Sequence, residues 1–282
     1  MIADVPAKIN LSLDVVGRRE DGFHLLESVM QTVDLYDRIT VVRRQTGIVL
    51  DTPGVALCPP EKNTATLAAA AFFAYTGIAA GVALTVKKHI PHQAGMGGGS
   101  ADAAGVLLLL DRLFDTRLTG EELCRLGLQV GADVPFCLIG GTALVTGIGE
   151  KIRPLPALPP CALVIAQPED GISTADAYAA LDRAAPTRRP DHAALLDGLQ
   201  RGDLSAVCRQ AVNVFDETTA PAGVIAIRKA MAAFSPLAAQ MTGSGSAVFA
   251  IFDDPAAADA CAKALHRVCP HVYRCRPCAG GV

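Results

Sequence analysis

The order of elements predicts an α+β protein built from two domains. Three observations carry that reading. The chain mixes hairpins with helices and does not alternate strand and helix in a regular βαβ order. A stretch rich in proline, Pro154-Leu-Pro156-Ala-Leu-Pro159-Pro160, marks a shift in composition and places a boundary there, giving domains over 1–155 and 156–282. Hydrophobic residues make up 51% of the 282 and charged residues 19%, enough to bury a sizeable core.

Taken in order, Ile9, Leu11, Leu13 and Val15 alternate with Lys8, Asn10, Ser12 and Asp14, which predicts a strand with one apolar and one polar face. The alternation sets Lys8, Asn10 and Ser12 on one side, about 7 Å apart in steps of two residues. The stretch 17–22 (GRREDG) reads as a turn and 25–34 as the returning strand, with further short strands over 38–42 and 48–50. Asn63 opens an alanine-rich helix that runs to about Tyr75 and ends near Gly77. Residues 82–89 read as a strand, 91–99 as a glycine-rich loop, and 100–114 as a helix whose apolar run 106–110 belongs in the core. Thr119-Gly-Glu-Glu122 is a capping box for the next helix, which Gly131 can close. Residues 141–145 are strand-like. Beyond the boundary come a strand over 162–166, helices over 174–181, 193–199, 204–210 and 222–234, strands over 239–242 and 247–252, a helix over 255–268 and a short last strand.

Net charge is −3 and no run of Lys or Arg exceeds two residues, so no nucleic-acid footprint is expected. The apolar runs 65–74 and 106–110 are too short to span a bilayer. The N-terminus lacks the basic and apolar regions of a secretory signal, and a soluble cytoplasmic protein follows, with no protein partner evident. Nine scattered cysteines suggest reduced thiols. Cys275 and Cys278, with Cys269, His266 and His271 nearby, lack the second ligand pair of a zinc site, and a loose C-terminal tail is the expectation.

Chemistry concentrates in 91–104. Gly95, Gly97, Gly98 and Gly99 stand four in five positions, after a strand and at the opening of a helix. Such a backbone can turn its N–H groups inward, and the helix N-terminus adds unpaired donors and partial positive charge. A polyphosphate cradle is the reading, against a merely tight turn. It is not a Walker A loop, because Ser100 follows Gly99 with no lysine between. Nor does it fit a dinucleotide fingerprint, since Ser100 replaces the third small residue and the βαβ partners are missing. Asp133, in Gly131-Ala-Asp133-Val-Pro135, is either a capping aspartate or a carboxylate that takes a hydroxyl proton. Lys8 is either a solvated strand residue or the cation that the loop lacks. Gly22-Phe23-His24 is either core or a stacking face beside a polar ring. Thr242-Gly243-Ser-Gly245 is either a tight turn or a second backbone nest.

In order and spacing, Pro6-Ala-Lys8-Ile-Asn10-Leu, Gly17-Arg-Arg-x-Asp-Gly22-Phe23-His24, 94–104 (AGMGGGSADAA), Gly131-Ala-Asp133-Val-Pro135-Phe and Gly243-Ser-Gly245 together resemble the 4-diphosphocytidyl-2-C-methyl-D-erythritol kinases, a branch of the GHMP kinases. The glycine-rich loop and the late Gly-Ser-Gly are shared across the superfamily, and the two N-terminal motifs are specific to the branch. The resemblance implies a first domain like ribosomal protein S5 domain 2, a ferredoxin-like second domain and a site in the cleft between them. It implies ATP as phosphoryl donor with Mg²⁺, and a cytidine diphosphate alcohol as acceptor. It implies that Asp133 is the base and that Lys8 holds Asp133 or the hydroxyl. Pro91, His92, Gln93, Ala94, Gly95, Met96, Gly97, Gly98, Gly99, Ser100 and Ala101 would bind ATP, with Asn63 near the adenine and Ser100 a candidate metal ligand. Asn10, Phe23, His24, Thr174 and Tyr178 would meet the substrate. Phe23 stands where the family often has Tyr, Met96 where it has Leu, and Gln93 where it has a small residue. Asn213-Val-Phe215-Asp216 is a weakened form of another family segment. Another GHMP kinase, or an inactive nucleotide-binding protein, would share the loop without needing Gly-Phe-His or the Lys8 and Asp133 pair respectively.

Overall fold

The structure is a computed structural model that describes residues 1–54, 57–184 and 186–282. Two sheets organise it. The first contains β1 (Ile2–Arg18), β2 (His24–Arg44), β3 (Ile48–Asp51), β4 (Gly81–Lys87), β5 (Thr142–Gly147) and β6 (Lys151–Pro154). β2 is its spine. It pairs antiparallel with β1 along nearly its whole length, with β4 through Arg38–Arg44, and with β5 through Leu26–Gln31. The strands expected over 25–34 and 38–42 are therefore one. The three residues between them stay extended because β1 pairs across both halves, with a register shift at Pro6 and Ala7.

Helices α1 (Thr64–Thr76), α2 (Gly98–Phe114), α3 (Gly120–Val130) and α4 (Val134–Ile139) accompany this sheet. Asn63 caps α1 through a bond from the Ala65 amide, and the αL residue Gly77 ends it. The Thr119 and Glu122 capping box forms as its sequence requires. Gly131 ends α3 in extended backbone, with φ −177°, so the helix stops there without a left-handed cap. Short α4 and strand β6 carry too few residues for periodicity to reveal them.

The second sheet has the order β10-β7-β9-β8, all antiparallel, from β7 (Ala162–Gln167), β8 (Ala238–Met241), β9 (Val248–Phe252) and β10 (His271–Cys275). That is the ferredoxin-like order. Around it lie α5 (Thr174–Arg183), α6 (His192–Arg201), α7 (Leu204–Arg209), α8 (Phe215–Thr218), α9 (Ala222–Ala232) and α10 (Pro255–Leu265). The proline-rich link leaves β6 at Pro154 and enters β7 at Ala162.

One alternative closes and one expectation fails. The polar face of β1 is not solvated, because everything from Val5 to Asp14 is buried. Val5, Ala7, Ile9 and Leu11 meet the apolar core, the polar side chains bond to one another and to neighbours such as Ser28, and the backbone at Leu13 bridges Asn213 of the second unit. The C-terminal tail is not loose either. Cys275 is buried in β10, the Cys278 amide donates to the Thr32 carbonyl, and the Thr32 hydroxyl donates to the carbonyls of Cys278 and Gly280. The tail thus returns from the second sheet to β2 of the first. No described helix is long and apolar enough to cross a membrane.

Candidate active site

A cleft of about 950 Å³ lies where the two sheets meet. One wall is the loop that joins β4 to α2. Gly97 stands at the N-cap of α2 with φ +69°, and Gly95 has φ +71°. A Cβ on Gly95 would lie 2.0 Å from the Thr242 carbonyl oxygen, so only glycine lets the loop approach the Gly-Ser-Gly turn of the second unit. The loop is fastened from several directions. The Met96 carbonyl accepts from the Lys8 amide, the Ala94 carbonyl from the Ala247 amide, and the Gly95 carbonyl from the Thr242 hydroxyl. The result is a helix N-terminus, with its free N–H groups, opening into the cleft.

Asp133 lines the same cleft. It occupies the N-cap position of α4 but makes no side-chain cap. Instead its Oδ2 lies 3.2 Å from Nζ of Lys8, a residue only 4% exposed. Lys8 Nζ also donates to Asn10 Oδ1 at 2.9 Å. Asn10 in turn donates from Nδ2 to the Ser28 hydroxyl, and its amide donates to the Thr242 hydroxyl at 3.0 Å. The side chain of Asn10, expected to meet substrate, is thus engaged within the protein, where it fixes the lysine.

The far end of the cleft is aromatic. Phe23, in the turn between β1 and β2, is 59% exposed. His24 stacks on Tyr178 of α5 with ring centroids 4.5 Å apart and planes at 26°, and Phe215 meets Tyr178 edge-on at 5.0 Å. Burial, then the Asp133 charge, push the Tyr178 phenol up to about 12. The Thr174 hydroxyl lies 3.1 Å from that of Ser244.

Of the residues that the resemblance assigns to catalysis, ATP or substrate, all line this cleft except Ala101, which is buried behind the loop in the core. Ala94 and Met96 turn their side chains into the same core and leave backbone to the cleft. Asn63 lines it while spending its side-chain oxygen on the α1 cap.

Sequence reasoning missed one cluster. Lys88, just before the loop, bonds to Asp37 and, at 2.6 Å, to Asp102 in α2, while Asp37 accepts from the amides of His89 and Ile90. Burial opposes the Lys88 charge, but Asp102 and Asp37 outweigh it and hold its pKa above the ordinary value. Burial likewise pushes the Asp102 carboxyl up against the pull of Lys88. The adjacent cations Lys87 and Lys88 at the loop entry are the one signal that pointed there. Asp182, which accepts from or shares a proton with His24 at 2.7 Å, was also missed.

Known proteins share these two domains. Residues 63–141 match the GHMP kinases N terminal domain and residues 195–271 the GHMP kinases C terminal domain. The fold is that of the GHMP small-molecule kinases. A 4-diphosphocytidyl-2-C-methyl-D-erythritol kinase from Exiguobacterium sibiricum is 40% identical over 276 residues, covering 97% of this chain and 96% of that protein. One of the same name from Caldicellulosiruptor saccharolyticus is 40% identical over 89% of this chain and 88% of its own. A crystal structure of 4-(cytidine 5'-diphospho)-2C-methyl-D-erythritol kinase superposes with a TM-score of 0.84 at 32% identity, covering 99% of this chain and 100% of that one. A homoserine kinase from Cytophaga hutchinsonii, 19% identical over 100% of this chain and 95% of its own, shares the fold with a TM-score of 0.78. The chain belongs to the 4-diphosphocytidyl-2-C-methyl-D-erythritol kinase family.

Proposed function

We propose that the protein transfers the γ-phosphoryl group of ATP to the 2-hydroxyl of 4-diphosphocytidyl-2-C-methyl-D-erythritol, giving the 2-phosphate and ADP, in the cytoplasm on the non-mevalonate route to isoprenoid precursors. The observation that carries this reading is the Lys8 and Asp133 pair, 3.2 Å apart, in the same cleft as the glycine-rich helix N-terminus and with the Lys8 amide bonded to that loop. The backbone N–H groups of 97–100 hold the phosphates, and their aligned dipoles favour the charge. Asn63 borders the adenine end. Asp133 takes the proton of the attacking hydroxyl as its oxygen bonds to the γ-phosphorus and the bond to the β-phosphate oxygen breaks. Lys8 keeps the carboxylate aimed at that hydroxyl.

Phosphoryl transfer calls for Mg²⁺. Among the described residues no group of three or more His, Cys, Asp or Glu side chains forms a cage. Ser100 lies in the first turn of α2 on the Asp133 side, its hydroxyl 3.7 Å from where a Cβ on Gly131 would sit. This sparse set of donors fits Mg²⁺, which keeps waters and leans on substrate phosphates. Ser100 is the residue that would hold it, and the bound ion supplies neutralisation of phosphate charge.

Phe23 offers a face for the cytosine ring, His24 an edge, and Thr174 and Tyr178 close the pocket from the second unit. Product phosphorus NMR over a panel of the diphosphocytidyl alcohol, mevalonate and homoserine tests the reading. Only the first should give a new phosphomonoester signal. Equal turnover of mevalonate or homoserine would assign the site to another GHMP activity.

A further inference from the structure

His24 is held on three sides. Its ring lies against Tyr178, its backbone begins β2, and its Nε2 stands 2.7 Å from Oδ1 of Asp182 on α5. Oδ2 of Asp182 lies 3.7 Å from the exposed Arg18 guanidinium. Among the described residues, Nδ1 of His24 has no hydrogen-bond partner and is not sealed from solvent, and the residue lines the substrate end of the cleft. A carboxylate can only accept a hydrogen bond. In the neutral ring the Nε2 must then carry the proton, which leaves Nδ1 a bare acceptor. The second-partner logic is that of any oriented imidazole: the group on one nitrogen decides what the other can do.

We propose that Asp182 is a positioning residue that sets the base specificity of this pocket by fixing the His24 tautomer, so that Nδ1 accepts from an exocyclic amine. Cytosine offers a 4-amino donor at its edge, whereas uracil offers a 4-carbonyl. Against the carbonyl, two acceptors face each other and both lose their water without a partner. The inference rests on the cytidine reading above and adds the reason for choosing cytidine over uridine. His24 and Asp182 lie 158 residues apart in sequence, one in each unit, so the specificity exists only when the two units stand together.

The test compares kcat/KM for the diphosphocytidyl alcohol with that for its diphosphouridyl counterpart, in the unmodified protein and in Asp182→Ala, Asp182→Asn and His24→Ala. An alanine leaves both tautomers open, and an asparagine amide can donate to Nε2 and select the wrong one. Both Asp182 variants should lower the cytidine to uridine ratio by roughly 5- to 150-fold, the equivalent of one hydrogen bond left unmade in a desolvated site. KM for ATP should not move. The ¹⁵N spectrum of His24 should show the Nε2–H form in the unmodified protein and a mixture, or the other form, in the variants, which a loss of packing alone does not produce. A ratio that collapses in His24→Ala but holds in both Asp182 variants overturns the proposal while leaving the cytidine pocket in place. Equal use of both alcohols by the unmodified protein overturns the pocket as well.

Discussion

Replacing Asp133 with Asn tests the centre of the site. The gross attraction between Lys8 and Asp133 at 3.2 Å is about 5 kcal/mol at an effective dielectric of about 20. Most of that is offset by removing the lysine from water, for Lys8 is 4% exposed while the Asp133 side chain is 30% exposed. The net term expected for a bond to a charged group is about 1.5–3 kcal/mol. Neutralising Asp133 leaves the buried ammonium with Asn10 Oδ1 at 2.9 Å as its remaining partner, so Asp133→Asn should lose about that much stability. It should also lower kcat by roughly 10²–10⁴-fold, the range for a missing general base, with little change in ATP affinity. Lys8→Met removes the charge and keeps the stem. Combined with Asp133→Asn, it should cost at least about 1 kcal/mol less than the two single losses added together, because the second change has no partner left to strand. Denaturant unfolding of the four proteins gives the coupling, and steady-state kinetics gives the rate. Additive stabilities together with near-normal turnover in folded Asp133→Asn would refute the pairing and return Asp133 to a turn residue before α4.

Changes at four other positions separate the parts. Gly97→Ala should cost about 1–2 kcal/mol for its left-handed backbone; its Cβ would also press on the Lys8 stem at 3.0 Å, so kcat should fall, and an unaltered kcat would show slack in the lysine. Phe23→Ala, at a site 59% exposed, should leave stability unchanged and raise the KM of the cytidine substrate by the equivalent of about 1–3 kcal/mol of stacking; Phe23→Tyr should be tolerated, and a matching rise in KM for ATP would misplace the ring. Thr242→Val strands the buried Asn10 amide and the Gly95 carbonyl, so calorimetry should show a loss of about 1–3 kcal/mol or more; a loss below that range would mean the loop closes on the second unit without this hydroxyl. The Glu122 carboxyl is pushed from its ordinary 4.5 down to about 2, first by the Thr119 amide, then by the hydroxyls of Thr119 and Tyr75. A depressed carboxylate stabilises above its unfolded value and loses that contribution as pH falls through the folded one, so the melting-point gap between the natural protein and Glu122→Gln should narrow from about pH 4.5 to about pH 2, and a constant gap would refute the capping assignment.

What was legible in the sequence was local. The capping box at Thr119 and Glu122, the Asn63 cap and the glycine loop before α2 each depend on neighbours within a few residues, and those neighbours are visible in the string. The two-residue period of β1 put Lys8 and Asn10 together, and the structure joins them by a hydrogen bond. What stayed hidden was long-range. Asp37, Lys88 and Asp102 are ordinary surface types at separations of 51 and 14 residues, and only the packing of β2, the loop entry and α2 brings them into one buried cluster. Burial of the polar face of β1 was hidden for the same reason: alternation tells which residues share a side, not what covers that side.

That covering layer changes how the site is built. Thr242 belongs to the second unit, yet its hydroxyl accepts from the Asn10 amide and donates to the Gly95 carbonyl. Asn10 holds Lys8, and Lys8 stands against Asp133. One hydroxyl therefore touches both the phosphate loop and the support of the charged pair, and the Gly-Ser-Gly turn that carries it fits only because Gly95 has no side chain. Any motion that parted the two units would loosen the loop, Asn10 and the base together. The C-terminal tail opposes such a motion, for it leaves β10 and returns to Thr32 in β2, stitching the second sheet back to the strand that runs beside Lys8. The second unit thus acts on the reacting centre through the residues that aim it, and a kinase with its own loop, lysine and aspartate intact would still lose its geometry if that contact were lost.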